Sequence, residues 1–185
     1  NTGALALSAD GRRLYAASEG MVFQGQASGG ALAFSVDGRG TLTYRNGVPT
    51  QGQRPCCLAL DPEERNLYAA NFFGGSLAML PVAEDGSLRP ARRVVREPKP
   101  RGWLHGMHSV GVLDGGALVG AVSLSQSEFV VYRADDGSRA AAYGFGERVF
   151  ARSFDSFGAW IYVMLQDPGD IYVLRNRCAE GLGLE

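Results

Sequence analysis

The chain has 185 residues, 45% of them apolar, and carries 18 Lys and Arg against 19 Asp and Glu for a formal net charge of −1. That apolar content suffices for a sizeable core, while the even charge balance excludes the strongly basic face of a nucleic-acid binder. No run approaches the ~18–20 consecutive apolar residues of a bilayer-spanning helix, and no basic-then-apolar leader opens at Asn1.

In chain order the residues read as four copies of one β unit. The first runs Ala4-Leu5-Ala6-Leu7, turns at Asp10-Gly11, returns as Leu14-Tyr15-Ala16-Ala17, adds Ala31-Leu32-Ala33-Phe34 and reverses at Asp37-Gly38. The second runs Leu58-Ala59-Leu60-Asp61-Pro62, Leu67-Tyr68-Ala69-Ala70 and Leu77-Ala78-Met79-Leu80, reversing at Asp85-Gly86. The third takes Val110-Gly111-Val112-Leu113, Leu118-Val119-Gly120-Ala121 and Phe129-Val130-Val131-Tyr132 to a reversal at Asp136-Gly137. The fourth takes Phe154-Asp155, Trp160-Ile161-Tyr162-Val163 and Ile171-Tyr172-Val173-Leu174 to an end near Glu180-Gly181. The copies span roughly 1–50, 51–100, 101–147 and 148–185.

Short runs rich in Val, Leu, Phe and Tyr between Gly and Asp predict strands, and the Asp-Gly pairs supply the positive-φ residue of a tight hairpin. No segment predicts a helix. Units of this length match the four-stranded blade of a β-propeller, because one small sheet cannot bury both faces until neighbours stack on it. A β-sandwich lacks such a repeat, and a parallel β-helix has a shorter one. The expected fold is all-β, a propeller with about four blades visible. The densest cationic stretch, Arg89 to Arg101, also holds Pro90, Pro98 and Pro100; it reads as a solvated inter-strand loop, with an anion-binding loop as the alternative.

Cys56, Cys57 and Cys178 form neither a disulfide framework nor a zinc spacing, so free thiols and a reducing compartment are expected. We expect a soluble, cytoplasmic protein with no nucleic-acid or membrane partner, no metal and no cofactor. The chain lacks an initiating Met and opens directly on a strand, which suggests a segment of a longer parent.

Propellers bind ligands where loops from several blades converge. The polar residues just past successive strands are Ser18-Glu19, Asn71, Ser123 and Gln166, and the spacing predicts that they face a shared funnel. His105 and His108 are the only histidines, both in Arg101-Gly102-Trp103-Leu104-His105-Gly106-Met107-His108-Ser109. Imidazole titrates near neutrality and suits proton removal from a water attacking a carbonyl. Glu19, directly after an apolar strand, could orient an imidazole or carry a raised pKa.

These residues resemble the lactonase family of seven-bladed propellers, which includes 6-phosphogluconolactonases and carboxy-cis,cis-muconate cyclases. Leu14-Tyr15-Ala16-Ala17-Ser18-Glu19, then Gly29-Gly30-Ala31-Leu32, is similar to the family's strand closing on Leu-Tyr and a Glu before a Gly-rich turn. Arg54-Pro55-Cys56-Cys57 with Leu67 through Asn71-Phe72-Phe73-Gly74-Gly75-Ser76 is similar to a second family segment, and Arg101 through His108-Ser109-Val110 to a third. The resemblance covers nearly the whole chain and implies a seven-bladed ring of about twice this length. Against the family's His-x-His, the first His position is Gly106, with His105 one residue early. Its Asp-Leu-Gly-x-Asp is similar to Ser123-Leu124-Ser125-Gln126-Ser127, its fourth-unit Glu falls on Gln166, and its fourth-unit Arg is nearest to Arg148.

The resemblance implies a hydrolase opening a sugar lactone such as 6-phosphogluconolactone, within carbohydrate metabolism and the pentose phosphate pathway. His108 or His105 would be the base, tuned by Glu19. Arg101 would hold the anionic group, Asn71 would donate to hydroxyls or the oxyanion, and Gln166 and Arg148 would complete the substrate contacts. Two other readings stay open: a ligand- or protein-binding propeller that has lost its acids, and a muconate-lactone isomerase.

Overall fold

The computed structural model describes residues 2–98, 106–146, 149–166, 169–181 and 183–184. Four antiparallel sheets follow one another, each a meander of four strands in sequence order. The first holds β1 (Thr2–Leu7), β2 (Arg13–Ser18), β3 (Gly30–Val36) and β4 (Leu42–Pro49); the second holds β5 (Gln53–Leu60), β6 (Asn66–Phe73), β7 (Ser76–Pro81) and β8 (Arg93–Arg96). The third holds β9 (Met107–Leu113), β10 (Leu118–Ser123), β11 (Glu128–Arg133) and β12 (Arg139–Gly144). The fourth holds β13 (Ala151–Phe157), β14 (Trp160–Leu165), β15 (Ile171–Arg177) and β16 (Gly183–Leu184). Among the described residues the only helical pieces are two short 3-10 turns, Asp114–Gly116 and Cys178–Glu180, and no helix is long and apolar enough to cross a membrane.

The first strand of each sheet lies against the first strand of the next, β1 on β5, β5 on β9 and β9 on β13. The sheets are therefore blades set around an axis, as the repeat predicts, and the chain forms part of a propeller. Three apolar layers fill the spaces between blades. In β6, Leu67 and Ala69 face the first sheet, while Tyr68 and Ala70 face the third. Alternate residues of a strand point to opposite faces, so a strand covered on both sides must be apolar throughout. That is the physical content of the Leu-Tyr-Ala-Ala repeat. Its tyrosine also locks neighbours together: the buried Tyr15 hydroxyl donates to the Gly86 carbonyl of the second blade's hairpin at 3.2 Å.

The structure departs from the sequence reading at the outer edges. The Arg89–Arg101 stretch, read as a loop, contains β8, and the outer strands β4, β12 and β16 were likewise not legible as apolar runs. An outermost strand has only one sheet neighbour, and charged residues there protect the open edge against pairing with other chains. Cations of this stretch also tie blades together, Arg92 Nη2 donating to the Ala134 carbonyl at 2.6 Å and Arg96 Nη2 to the Gln51 carbonyl at 2.9 Å. At Asp37-Gly38 the left-handed residue is instead Gly40, at φ +81°, because the Asp37 carboxylate accepts from the Arg39 and Thr41 amides and widens the turn.

Candidate active site

Every first strand carries a β-bulge near its beginning. The register slips between Thr2 and Leu5 in β1, around Cys56 in β5, around His108 in β9 and around Arg152 in β13. A bulge leaves one residue unpaired and re-aims its side chain, and bulges recur beside active sites for that reason. The four bulges lie at one end of the axis. A Cβ on Gly3 would sit 3.0 Å from the Pro55 carbonyl, and the Cys56 thiol contacts the Met107 and His108 carbonyls, each at 3.5 Å. Together they make a mouth at the centre of the arc, reached by the ends of the second strands.

At this mouth Glu19, just past β2, accepts from Arg54 Nη2 at 3.1 Å. Two further bonds hold the same contact: the Arg54 amide donates to the Gly20 carbonyl at 3.0 Å, and the Gln53 side-chain Nε2 to the Met21 carbonyl at 3.1 Å. Arg54 takes φ +52°, a left-handed conformation that costs an L-residue about 1–2 kcal/mol. Its guanidinium lies over the Phe73 ring, 5.9 Å from the centroid, while Phe72 meets His108 edge to face at 5.8 Å.

His108 is half-buried, and its pKa lies below the ordinary imidazole value of 6.5, chiefly because burial disfavours the charged ring. The Arg152 guanidinium pushes the same way, while the Arg152 main chain and the Glu19 carboxylate pull it partly back up. The ring is therefore neutral and able to accept a proton at neutral pH. Cys56 has the opposite character: burial pushes its thiol up to about 12, which leaves no thiolate for nucleophilic attack. Arg152 Nη1 donates to Gln166 Oε1 at 2.7 Å, placing both beside an open hollow with Met164, Leu165 and Gly169.

Of the residues singled out from sequence, the structure brings Glu19, His108 and Gln166 to this mouth. Asn71 stands at the end of β6 opposite Pro55; it is fully buried, and its Nδ2 is directed at Ser76 Oγ, 3.1 Å away, and the Thr50 carbonyl at 3.5 Å, so that nitrogen ties the end of the first blade to the second. Ser123 is buried as well, accepting from the Gln126 amide at 3.1 Å. Second strands sit one place away from the axis, and it is first-strand bulges that furnish most of the mouth. Arg101, His105 and Arg148 lie outside the described residues. At Gly106, φ is +91° and a Cβ would stand 1.8 Å from the Phe72 carbonyl, so this backbone has no room for the histidine that the family places there.

Arg54, Cys56 and Arg152 were missed as site residues. Their available signal was positional, since each stands at the entrance to a first strand, as His108 does. No group of three or more His, Cys, Asp or Glu able to hold a metal occurs among the described residues.

The first-strand bulges and the strand ends beside them gather a half-buried imidazole, a carboxylate and two guanidinium groups at one mouth. The chain belongs to the lactonase family of seven-bladed β-propellers, whose family model matches residues 1–165. Among solved structures it resembles a periplasmic gluconolactonase of Pseudomonas aeruginosa, with 25% identity and a TM-score of 0.82 over 95% of this chain and 53% of that one. It also resembles a protein from Bacteroides fragilis described as a candidate 6-phosphogluconolactonase, with 26% identity and a TM-score of 0.77 over 94% and 52% of the two chains. A Lactobacillus plantarum protein shares the fold at 23% identity and a TM-score of 0.78 over 100% and 55%. The chain thus spans about half the length of these structures. No curated protein matches it.

Proposed function

We propose that this mouth opens a sugar lactone by attack of water on the ring carbonyl, with His108 as the base. Water gives its proton to the imidazole as its oxygen bonds to the carbonyl carbon; the ring C–O bond then breaks, and the imidazolium returns the proton to the leaving alkoxide. The observation that carries this reading is the β9 bulge that re-aims the half-buried His108 near Glu19 and Arg152, whose charges act on the ring. Arg152 supports it as a cation placed to stand beside the developing oxyanion. Gln166 keeps the Arg152 guanidinium in place. Arg101 and His105, in the segment that leads into β9, remain proposed contributors to anion holding and to the base, as does Arg148 to substrate binding.

A non-catalytic scaffold is favoured by one observation. Where the family carries acids, Ser123 Oγ is taken up by the Gln126 amide, the Ser127 hydroxyl donates to the Val149 carbonyl, and Gln166 is paired with Arg152. A pH-stat assay of the complete protein on glucono-δ-lactone and 6-phosphogluconolactone divides the two. Lactonase action predicts turnover that falls at least about tenfold in His108→Ala. Unchanged turnover in that variant removes the imidazole from the mechanism, and no hydrolysis by the wild type leaves the scaffold reading. Conversion of a muconate lactone in the same assay, with neither sugar lactone opened, would point to the isomerase.

A further inference from the structure

Arg54 takes φ +52°, a conformation it shares with five other non-glycine residues among those described, and what sets it apart is the long cation this position carries beside the mouth. The guanidinium sits between the Glu19 carboxylate at 3.1 Å and the face of Phe73 at 5.9 Å. The pair is partly open to solvent, the two side chains being 43% and 23% exposed, and among the described residues one nitrogen meets one oxygen. A guanidinium fork can make two parallel hydrogen bonds to an oxyanion, so this one is only half engaged. Glu19 also lies close enough to His108 to act on its charge.

We propose that Arg54 is the receptor for an oxyanion substituent on the substrate, a phosphate or a second carboxylate, and that its pair with Glu19 is a resting contact which the substrate opens. The inference rests on the lactonase reading of the same mouth. An incoming anion takes both prongs of the fork, which the single Glu19 contact does not. Phe73 keeps the guanidinium plane in place while its partner changes. Glu19, released, turns to His108 on the neighbouring first strand and steadies the imidazolium as it forms. Arg54 is then a binding residue and Glu19 a positioning residue.

Gluconate, glucarate and 6-phosphogluconate share one carbon chain and end in hydroxyl, carboxylate and phosphate, and calorimetric titration of the complete protein with each tests the receptor. Arg54→Gly is the apt variant, since glycine accepts the backbone conformation without strain; Arg54→Lys keeps the charge and loses the fork. The wild type should bind glucarate or 6-phosphogluconate at least about tenfold tighter than gluconate, which a charge-assisted hydrogen bond can supply. Arg54→Gly should erase that preference, and Arg54→Lys should restore part of it. The doubly anionic ligand that gains identifies the substituent. A preference that survives in Arg54→Gly, or none in the wild type, overturns the receptor.

For the release step, the acid limb of kcat should lie at higher pH for 6-phosphogluconolactone than for glucono-δ-lactone, and the gap should close in Glu19→Gln. Equal limbs in the wild type overturn it. If neither lactone is hydrolysed while binding stays Arg54-dependent, the lactonase reading falls and the receptor stands. If both are hydrolysed and Arg54→Gly alters neither binding nor KM, the receptor alone falls.

Discussion

The second and fourth sheets are built from the same kind of strand and meet very different surroundings. In the second, all of β7 from Ser76 to Leu80 is buried, because the first blade covers one face and the third blade the other. In the fourth, β14 alternates strictly: Ile161, Val163 and Leu165 pack on the third blade, while Trp160, Tyr162 and Met164 are exposed, as are Ile171 and Val173 on β15. An apolar strand in this architecture is buried only as far as its neighbours reach. The charged mouth spans both regimes, since His108 stands on the third blade and Arg152 on the fourth.

The sharpest way to break this comparison is to truncate one apolar side chain in each sheet. Leu77→Ala removes a fully buried side chain from the layer between the second and third blades, and a cost of about 2–5 kcal/mol is expected. Val173→Ala, on the face of the fourth sheet that no other blade among the described residues covers, should change the stability of this chain by about 0.5 kcal/mol or less. Denaturant midpoints at constant slope measure both. Equal costs would mean that the exposed face is packed in solution.

A second pair of substitutions compares polar anchors. Asp61, buried at the turn between β5 and β6, accepts from the Arg65 and Asn66 amides at 2.7 and 3.0 Å and from Asn66 Nδ2 at 2.7 Å. Asp61→Ala orphans those donors and should cost about 1–3 kcal/mol by the same measurement. Asp155 in β13 is exposed and accepts only the adjacent Ser156 amide among the described residues. Asp155→Ala should fall within about 0.5 kcal/mol of the wild type. A large cost there would show that the fourth blade depends on this strand carboxylate more than on its packing.

The inner strands were legible as apolar runs, most plainly in β6 and β7 where burial on both faces demands them, and Leu14-Tyr15 and Leu67-Tyr68 stand in equivalent places in the first and second blades. The outer strands were not, since Arg93–Arg96 and Arg139–Gly144 answer to an open edge and not to a core. At the site, Glu19 and His108 could be read from sequence because their residue types are rare or abruptly placed. Arg54, Cys56 and Arg152 could not, since a bulge is a matter of register between two strands and leaves no fixed mark in either one. Asn71, whose position after Leu67-Tyr68-Ala69-Ala70 matches that of Ser18-Glu19, is fully buried where Glu19 is not, a difference that the shared pattern does not carry.

The smallest expected effect tests whether the lightly covered fourth blade still governs the imidazole on the third. A histidine whose pKa is depressed must be deprotonated to act as a base, so activity falls as pH drops through that value, and the acid limb should lie below 6.5. Arg152→Ala withdraws a cation that lowers the pKa and should move the limb upward; Glu19→Gln withdraws an anion that raises it and should move the limb downward, each by less than about one pH unit. The opposite signs matter more than the sizes, because a general loss of structure would move both limbs together. If Arg152→Ala leaves the limb in place while Glu19→Gln shifts it, the β13 bulge does not hold its guanidinium against His108 in solution, and control of the base belongs to the well-packed side of the arc alone.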